Sequence, residues 1–186
     1  MKSLTAVALF AVGLVTGTAL HMIPSAKAQN PGSASIERRL ARVEDHIAIE
    51  RLLMEYGRTL DKRDFAAFSQ LFATNGAWSG NIGVVKGPAA IQVAMEKAFN
   101  PPAGAAPTPP FYHVLTNAII DIDGDRATAI SKWTFIQFVG GRPQIGAVGY
   151  YNDTLVRESG RWRFLLREAP AMRSVGASGK IAPTLR

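Results

Sequence analysis

The sequence predicts a single α+β domain, because helical periodicity in its first half gives way to strand periodicity in its second half. After Ser35, apolar residues recur every three or four positions, as in an amphipathic helix. After Phe111 they alternate with other residues, as in strands. The chain has 186 residues, 47% of them apolar, which is enough for one domain with a hydrophobic core.

The composition excludes several kinds of site. The chain has no cysteine, which excludes disulfides, thiolate nucleophiles and cysteine-ligated metals. Only three histidines are present, and no metal-spaced cluster or phosphate-binding glycine loop occurs, so we expect neither a metal nor another cofactor. The formal net charge is +7, but the basic residues are spread along the chain without interleaved aromatic residues. We therefore expect surface charge and no nucleic-acid partner.

Residues 1–28 are typical of a secretory signal peptide. Lys2 precedes an apolar stretch, Leu4 to Leu20, and a small-x-small site follows at Ala26-Lys27-Ala28. An uncleaved anchor is the alternative, but the stretch is shorter than the ~20 residues that a membrane span needs. We therefore expect cleavage after Ala28, no stable membrane anchor afterwards, and a periplasmic or secreted protein.

Three helices are predicted in the first half. Residues 29–34 form a flexible lead-in, and Ser35 then caps a first helix of about 25 residues. The apolar stripe of this helix comprises Ile36, Leu40, Val43, Ile47, Leu52, Leu53, Tyr56 and Leu60. Asp64 caps a short second helix, and Gly87-Pro88 begins a third after a hairpin at residues 78–85.

The second half predicts four strands in consecutive hairpins. Their ranges are 112–122, 128–138, 145–157 and 162–168. Asp123-Gly124 is typical of a tight hairpin turn, and the surrounding aspartates lack the spacing and the terminal glutamate of a calcium loop. Residues 100–110, rich in proline and alanine, form a loop. Residues 169–186 show no periodicity and form a C-terminal extension.

Three stretches of the chain occur in an order and spacing found together in one superfamily. They are RLARVEDHIAIERLLMEYGRTLDKRDFAAFSQLFATNGAW, HVLTNAIIDIDGDRATA and YYNDTLVRESGRWRFLLRE. Together they resemble the SnoaL-like branch of the nuclear transport factor 2-like superfamily, over residues 36–168. The resemblance implies a SnoaL-like α+β barrel at residues 35–168, in which a cone-shaped, curved antiparallel sheet wraps over three N-terminal helices and opens onto an apolar pocket.

The resemblance also implies a catalytic pair, Asp61 and His113. In several members an aspartate at the end of the first helix pairs with a histidine at the start of the first long strand, and LDKRDF and YHVLTN supply both here. An imidazole held by a carboxylate can remove a proton near neutral pH. Some members add a second histidine or an arginine on a later strand, where this chain has Tyr150, Tyr151 and Asn152.

Four residues are candidates for substrate binding: Tyr56, Asn117, Trp133 and Tyr150. A tyrosine hydroxyl, that of Tyr112 included, or the Asn117 amide could stabilise negative charge that develops on an oxygen atom. Trp133 faces either the pocket or solvent, depending on strand register. For the catalytic pair and for these aromatic residues, a purely structural role in the core or at a helix end is the alternative.

The sequence and the resemblance together predict a cofactor-independent lyase. It would act on a small aromatic or alicyclic substrate by general-base proton abstraction and elimination, as dehydration, dehydrohalogenation or formaldehyde release. An isomerase or polyketide-cyclase-type enzyme shares the proton abstraction and stays open, as does a non-catalytic periplasmic ligand-binding module. Since sheets of this family pack face to face, we expect a homodimer or a homotrimer.

Overall fold

The fold is that of a computed structural model, which describes residues 31–102, 104–106, 109–170 and 173–174. Three helices and seven strands make up this part of the chain. The helices are α1 (Pro31–Asp61), α2 (Phe65–Ser69) and α3 (Pro88–Phe99). The strands are β1 (Phe72–Gly80), β2 (Gly83–Lys86), β3 (Phe111–Asp123), β4 (Arg126–Val139), β5 (Arg142–Glu158), β6 (Arg161–Glu168) and β7 (Arg173–Ser174).

All seven strands belong to one sheet, in the order β2-β1-β6-β5-β4-β3, with β7 paired to β5. The pairing is antiparallel except between β1 and β6, which run parallel. Register shifts interrupt the pairing, for example between Thr116 and Ile119 on β3 and between Phe135 and Ile136 on β4. Such bulges bend strands, and they account for the curvature of the sheet. The predicted α+β class is confirmed, with one parallel pair added.

The hydrophobic core lies between the three helices and one face of the sheet. Alternate residues of β4 are buried from Ala127 to Trp133, as expected for a strand with one covered face. The largest fully buried apolar side chains are Tyr56, Phe68, Phe72, Phe164, Ile49, Ile91, Met95 and Leu155.

Local signals placed several element boundaries correctly. The Asp64 carboxylate accepts the backbone N–H of Ala67 at 3.0 Å and caps α2. Pro88 opens α3, where a missing N–H costs no helical hydrogen bond. Gly124, with φ of 56°, lies in the turn between β3 and β4, so the predicted hairpin is confirmed. No helix within the described ranges is long and apolar enough to cross a membrane.

The start of α1 differs from the prediction. The helix begins at Pro31 rather than after Ser35, so residues 31–34 are helical instead of a lead-in. The predicted apolar stripe is also not one face: Leu52 and Leu53 are buried, whereas Ile36 and Leu40 are largely exposed. The first half of α1 therefore does not pack on the core.

The two ends of the chain are described only in part. The predicted signal peptide, residues 1–28, and residues 29–30 lie outside the described residues. In the predicted C-terminal extension, β7 pairs with β5 through Ala147 and Val148, so part of this segment belongs to the sheet.

Candidate active site

Asp61 and His113 meet at the edge of the sheet. Asp61 ends α1, and His113 is near the start of β3, the outermost strand. The two Asp61 carboxylate oxygens accept the backbone N–H of His113 at 3.0 and 3.1 Å, and Asp61 Oδ1 lies 2.7 Å from His113 Nδ1. On an edge strand, outward N–H groups have no strand partner. The carboxylate satisfies one of them and holds the imidazole ring at the same time.

Gly57 allows α1 to come this close to β3. A Cβ atom at position 57 would lie 2.9 Å from Leu115 Cδ1 and 3.4 Å from the His113 carbonyl oxygen. A larger residue would displace the end of the Leu115 side chain and press against the His113 carbonyl oxygen. Because Asp61 lies four residues later on the same helix, this close approach helps to set its distance from His113.

The His113 ring forms part of the wall of a cavity of about 200 Å³. Its side chain is only 8% exposed, and its ring centroid lies 5.2 Å from that of Phe135 and 6.3 Å from that of Trp133. Aromatic and aliphatic groups dominate the cavity wall. The lining residues are Tyr56, Leu60, Trp78, Asn81, Ile82, Met95, Ala98, Phe99, His113, Trp133, Phe135, Tyr151 and Ala169.

Two buried tyrosines, Tyr56 and Tyr151, line this cavity. Trp78 Nε1 donates a hydrogen bond to Tyr56 Oη at 3.0 Å. The Tyr151 hydroxyl is also hydrogen-bonded to that of Tyr56, and this bond raises the pKa of Tyr151 and lowers that of Tyr56. Burial outweighs the other effects, so the pKa of Tyr56 is raised and that of Tyr151 is raised well above its usual value. Both phenols are therefore neutral at physiological pH.

A buried ion pair lies behind these tyrosines. Arg167 is 0% exposed, and its Nε and Nη2 each donate to a different Asp153 carboxylate oxygen at 2.8 Å. The guanidinium lies 3.9 Å from the ring centroid of Tyr56, 4.1 Å from that of Tyr151 and 4.3 Å from that of Phe164. Burial lowers the pKa of Arg167, but the Asp153 carboxylate outweighs this effect and the net pKa is raised. The charged guanidinium thus packs against the three aromatic rings in cation–π contacts.

The structure brings four of the six predicted site residues to the cavity. Tyr56 and Trp133 line it together with His113, and Asp61 holds His113 from outside the lining. Their functional roles stay predictions.

The other two predicted residues, Asn117 and Tyr150, do not line the cavity. Asn117 is exposed, with φ of 55°, where the register of β3 shifts. Tyr150 is 43% exposed on the outer face of β5, because successive side chains of a strand point to opposite faces and the next residue, Tyr151, points inwards. Their proposed part in substrate binding stays a prediction.

Sequence reasoning missed three residues around the cavity. They are Phe135, Arg167 and Tyr151, which is the tyrosine of β5 that points inwards.

Trp133 pairs with Gly149 across β4 and β5, and a Cβ at Gly149 would lie 2.6 Å from Trp133 Cζ2. This glycine makes room for the indole, and inward residues follow at every second position after it. A glycine opposite a large aromatic residue was the available signal, but it is visible only once the strand register is known.

The domain has relatives that fit this architecture. The family model for the SnoaL-like domain matches residues 41–168, which is more than half of the chain. The chain belongs to the SnoaL-like family. It is also 27% identical, over 133 residues, to an uncharacterized protein of Mycobacterium tuberculosis, covering 69% of this chain and 86% of that protein.

Solved structures resemble the SnoaL-like domain in fold. A protein of the nuclear transport factor 2-like type with a cystatin-like fold, from Novosphingobium aromaticivorans, is 25% identical with a TM-score of 0.64, over 82% of this chain and 96% of that chain. A candidate scytalone dehydratase from the same organism is 24% identical with a TM-score of 0.56, over 72% of this chain and 85% of that chain. These likenesses confirm the cone-like fold that the resemblance implied.

The SnoaL-like match includes the catalytic pair, the two buried tyrosines and Arg167, and of the cavity lining it leaves out Ala169. It leaves out residues 31–40, the exposed start of α1. Most of the candidate site therefore lies within the matched region, and the exposed start of α1 lies outside it.

Proposed function

We propose that the chain is a lyase that starts an elimination by removing a proton from carbon, with His113 as the general base. One observation carries the proposal: a histidine on the wall of a largely apolar cavity has its Nδ1 2.7 Å from a carboxylate oxygen. This arrangement keeps the proton on Nδ1 and leaves the lone pair on Nε2. The Asp61 carboxylate also stabilises the imidazolium that forms after proton transfer.

Tyr56 is the group best suited to stabilise the negative charge that develops on the substrate. A hydroxyl has one donor and two acceptor positions. Its oxygen accepts from Trp78 Nε1, and when Tyr151 donates to the second acceptor position, the proton of Tyr56 is available to a ligand in the cavity. Because burial raises the pKa of Tyr56, this hydroxyl acts as a donor and leaves the role of base to His113.

The cavity supports a monocyclic substrate that carries a carbonyl group. Its volume of about 200 Å³ exceeds that of an apolar cavity of about 150 Å³ known to hold benzene, so one substituted six-membered ring fits. Trp133 Nε1 is a buried donor on this wall without a partner among the described residues. An acceptor on the substrate would remove the cost of leaving that donor unpaired.

The elimination transfers one proton from the substrate carbon to His113 and then from His113 to the leaving group. His113 Nε2 takes the proton from the carbon next to the carbonyl, and the C–H electron pair passes into an enolate whose oxygen accepts from Tyr56. The enolate re-forms the carbonyl, a C=C bond forms, and the bond between the β-carbon and its leaving group breaks. For a hydroxyl leaving group, the proton on Nε2 passes to the departing oxygen. Water leaves and His113 is neutral again.

We expect His113→Gln to lower the rate of proton abstraction by about 10²- to 10⁴-fold, the usual contribution of a general base. Two probes separate the steps: cyclohexanone reports deuterium uptake from heavy water, and β-hydroxycyclohexanone reports elimination. Quenching of tryptophan fluorescence reports binding, since Trp78 and Trp133 line the cavity. The matched control is His46→Gln, which changes an exposed histidine on α1.

Three results would decide against this function. If the wild-type protein binds the cyclic ketones but gives no deuterium uptake, it is a binding module. If it exchanges deuterium without any elimination, it is an isomerase or cyclase. If His113→Gln exchanges as fast as the wild type, another group is the base.

We expect Tyr56→Phe to lower kcat by about 10²- to 10³-fold, because it removes the donor to the developing oxyanion. Tyr150→Phe is the control, since it deletes the same atom from a side chain on the outer face of β5 and should leave kcat unchanged. The measurement is the elimination rate with β-hydroxycyclohexanone at saturation. Equal losses in both variants, or none in either, would remove Tyr56 from this role.

A further inference from the structure

Helix α1 carries a second apolar face that the domain does not cover. Five of its apolar residues are between 44% and 64% exposed, and we call them the α1 stripe: Ile36, Leu40, Val43, Ile47 and Met54. With about 100° of rotation per residue, these side chains lie within an arc of about 60°. The buried residues Ile49, Leu52, Tyr56 and Leu60 lie on nearly the opposite side of the helix.

The spacing within the α1 stripe is that of a coiled coil. Steps of four, three, four and seven residues place Ile36 and Val43 at heptad position d, and Leu40, Ile47 and Met54 at position a. A helix of 31 residues with such a seam would gain apolar burial by pairing with another helix, since its exposed start gains little from packing on its own domain.

Charges beside the α1 stripe select a second copy in parallel orientation. Arg39 occupies position g, and Glu44 occupies position e of the next heptad. In a parallel pair of identical helices, residue g of one copy lies beside residue e of the next heptad in its partner. Arg39 of each copy therefore faces Glu44 of the other, which gives two complementary pairs.

We propose that copies of this chain associate through the α1 stripe with their helices parallel. The domain does not block this association, because it contacts the opposite side of α1. On that side, Asp45 accepts hydrogen bonds from Arg157 and Trp162. The domains then lie outside the helical core of the assembly. Leucine at position a, as in Leu40, with isoleucine at position d, as in Ile36, favours more than two strands. This association is independent of the proposed lyase activity.

The test is the mass of the full chain, as the expressing cell processes it, by sedimentation equilibrium at micromolar concentrations. We expect an oligomer for the wild type and a monomer for the double variant Leu40→Glu, Ile47→Glu. Both residues lie on the exposed side of α1, so the domain should keep its circular dichroism spectrum and thermal midpoint. The control is Ile130→Glu, which places the same charge on an exposed residue of the sheet and should leave the mass unchanged.

A charge exchange tests the parallel orientation. Arg39→Glu should weaken association about three- to tenfold, the effect of losing two exposed ion pairs, and adding Glu44→Arg should restore it. Arg38→Glu makes the same change at position f, away from the seam, and should have no such effect.

Several results would overturn the proposal. A wild-type monomer would mean that something else covers the stripe, such as residues 1–30 or a lipid surface. Dissociation by Ile130→Glu but not by the double variant would place the interface on the sheet. Equal effects of Arg38→Glu and Arg39→Glu would contradict the parallel register.

Discussion

Replacing Asp61 with asparagine is expected to lower kcat for elimination by about 10³- to 10⁴-fold while the protein stays folded. In the wild type, both Asp61 carboxylate oxygens lie about 3 Å from the backbone nitrogen of His113. The asparagine Oδ1 can still accept a hydrogen bond from this N–H. Its amide can, however, donate to Nδ1 and move the imidazole proton to Nε2, and it lacks the charge that stabilises an imidazolium. The measurements are kcat with β-hydroxycyclohexanone and the thermal midpoint.

Asp64→Asn is the matched control for this variant. It removes the same charge three residues away, and asparagine can still accept the Ala67 N–H that caps α2. We expect an unchanged kcat. Full activity of Asp61→Asn would show that the carboxylate only attaches α1 to β3, and an equal loss in both variants would point to a general effect of charge.

Replacing Arg167 with methionine is expected to lower the free energy of unfolding by about 3–5 kcal/mol, the cost of leaving one member of a buried ion pair alone. The Asp153 carboxylate is inaccessible and loses both of its 2.8 Å partners. The rings of Tyr56 and Tyr151 also lose the guanidinium packed against them. Urea unfolding measures the change, and the slope of the transition tests whether unfolding stays two-state.

A second substitution separates the ion pair from the loss of packing. The double variant Asp153→Leu, Arg167→Met should recover most of the lost stability, because replacing both buried charges with apolar groups removes the unpaired carboxylate. Asp125→Asn is the surface control: its carboxylate is 78% exposed, and we expect little effect from loss of its bond to Arg157. A loss below about 1 kcal/mol in Arg167→Met would show that Asp153 finds other partners or takes up a proton.

Neither member of this ion pair could be recognised from the sequence. Asp153 and Arg167 stand in β strands among other charged residues, and a charged side chain in a strand usually lies on the solvated face. Burial is tolerable here only because β5 and β6 pair Asp153 directly with Arg167. The register that joins them is set by the whole sheet.

Local sequence determined the order of the elements and most of their boundaries. Asp64, Gly87-Pro88 and Asp123-Gly124 act within a few residues of the chain, so their caps and turns are where the sequence predicted them. Asp61 at a helix end and His113 at a strand start were also proposed together, but from a family resemblance. Their contact spans 52 residues of sequence and depends on how closely α1 approaches β3 at Gly57.

Only the tertiary structure decided which faces are inside. The alternation of side chains along a strand places Tyr150 and Tyr151 on opposite faces of β5. It does not say which face is covered, because both faces carry apolar residues. The apolar residues of α1 likewise form two opposite faces, of which the domain buries one. Sequence periodicity fixes which residues share a face, whereas the partner of that face is decided by contacts with residues distant in the chain.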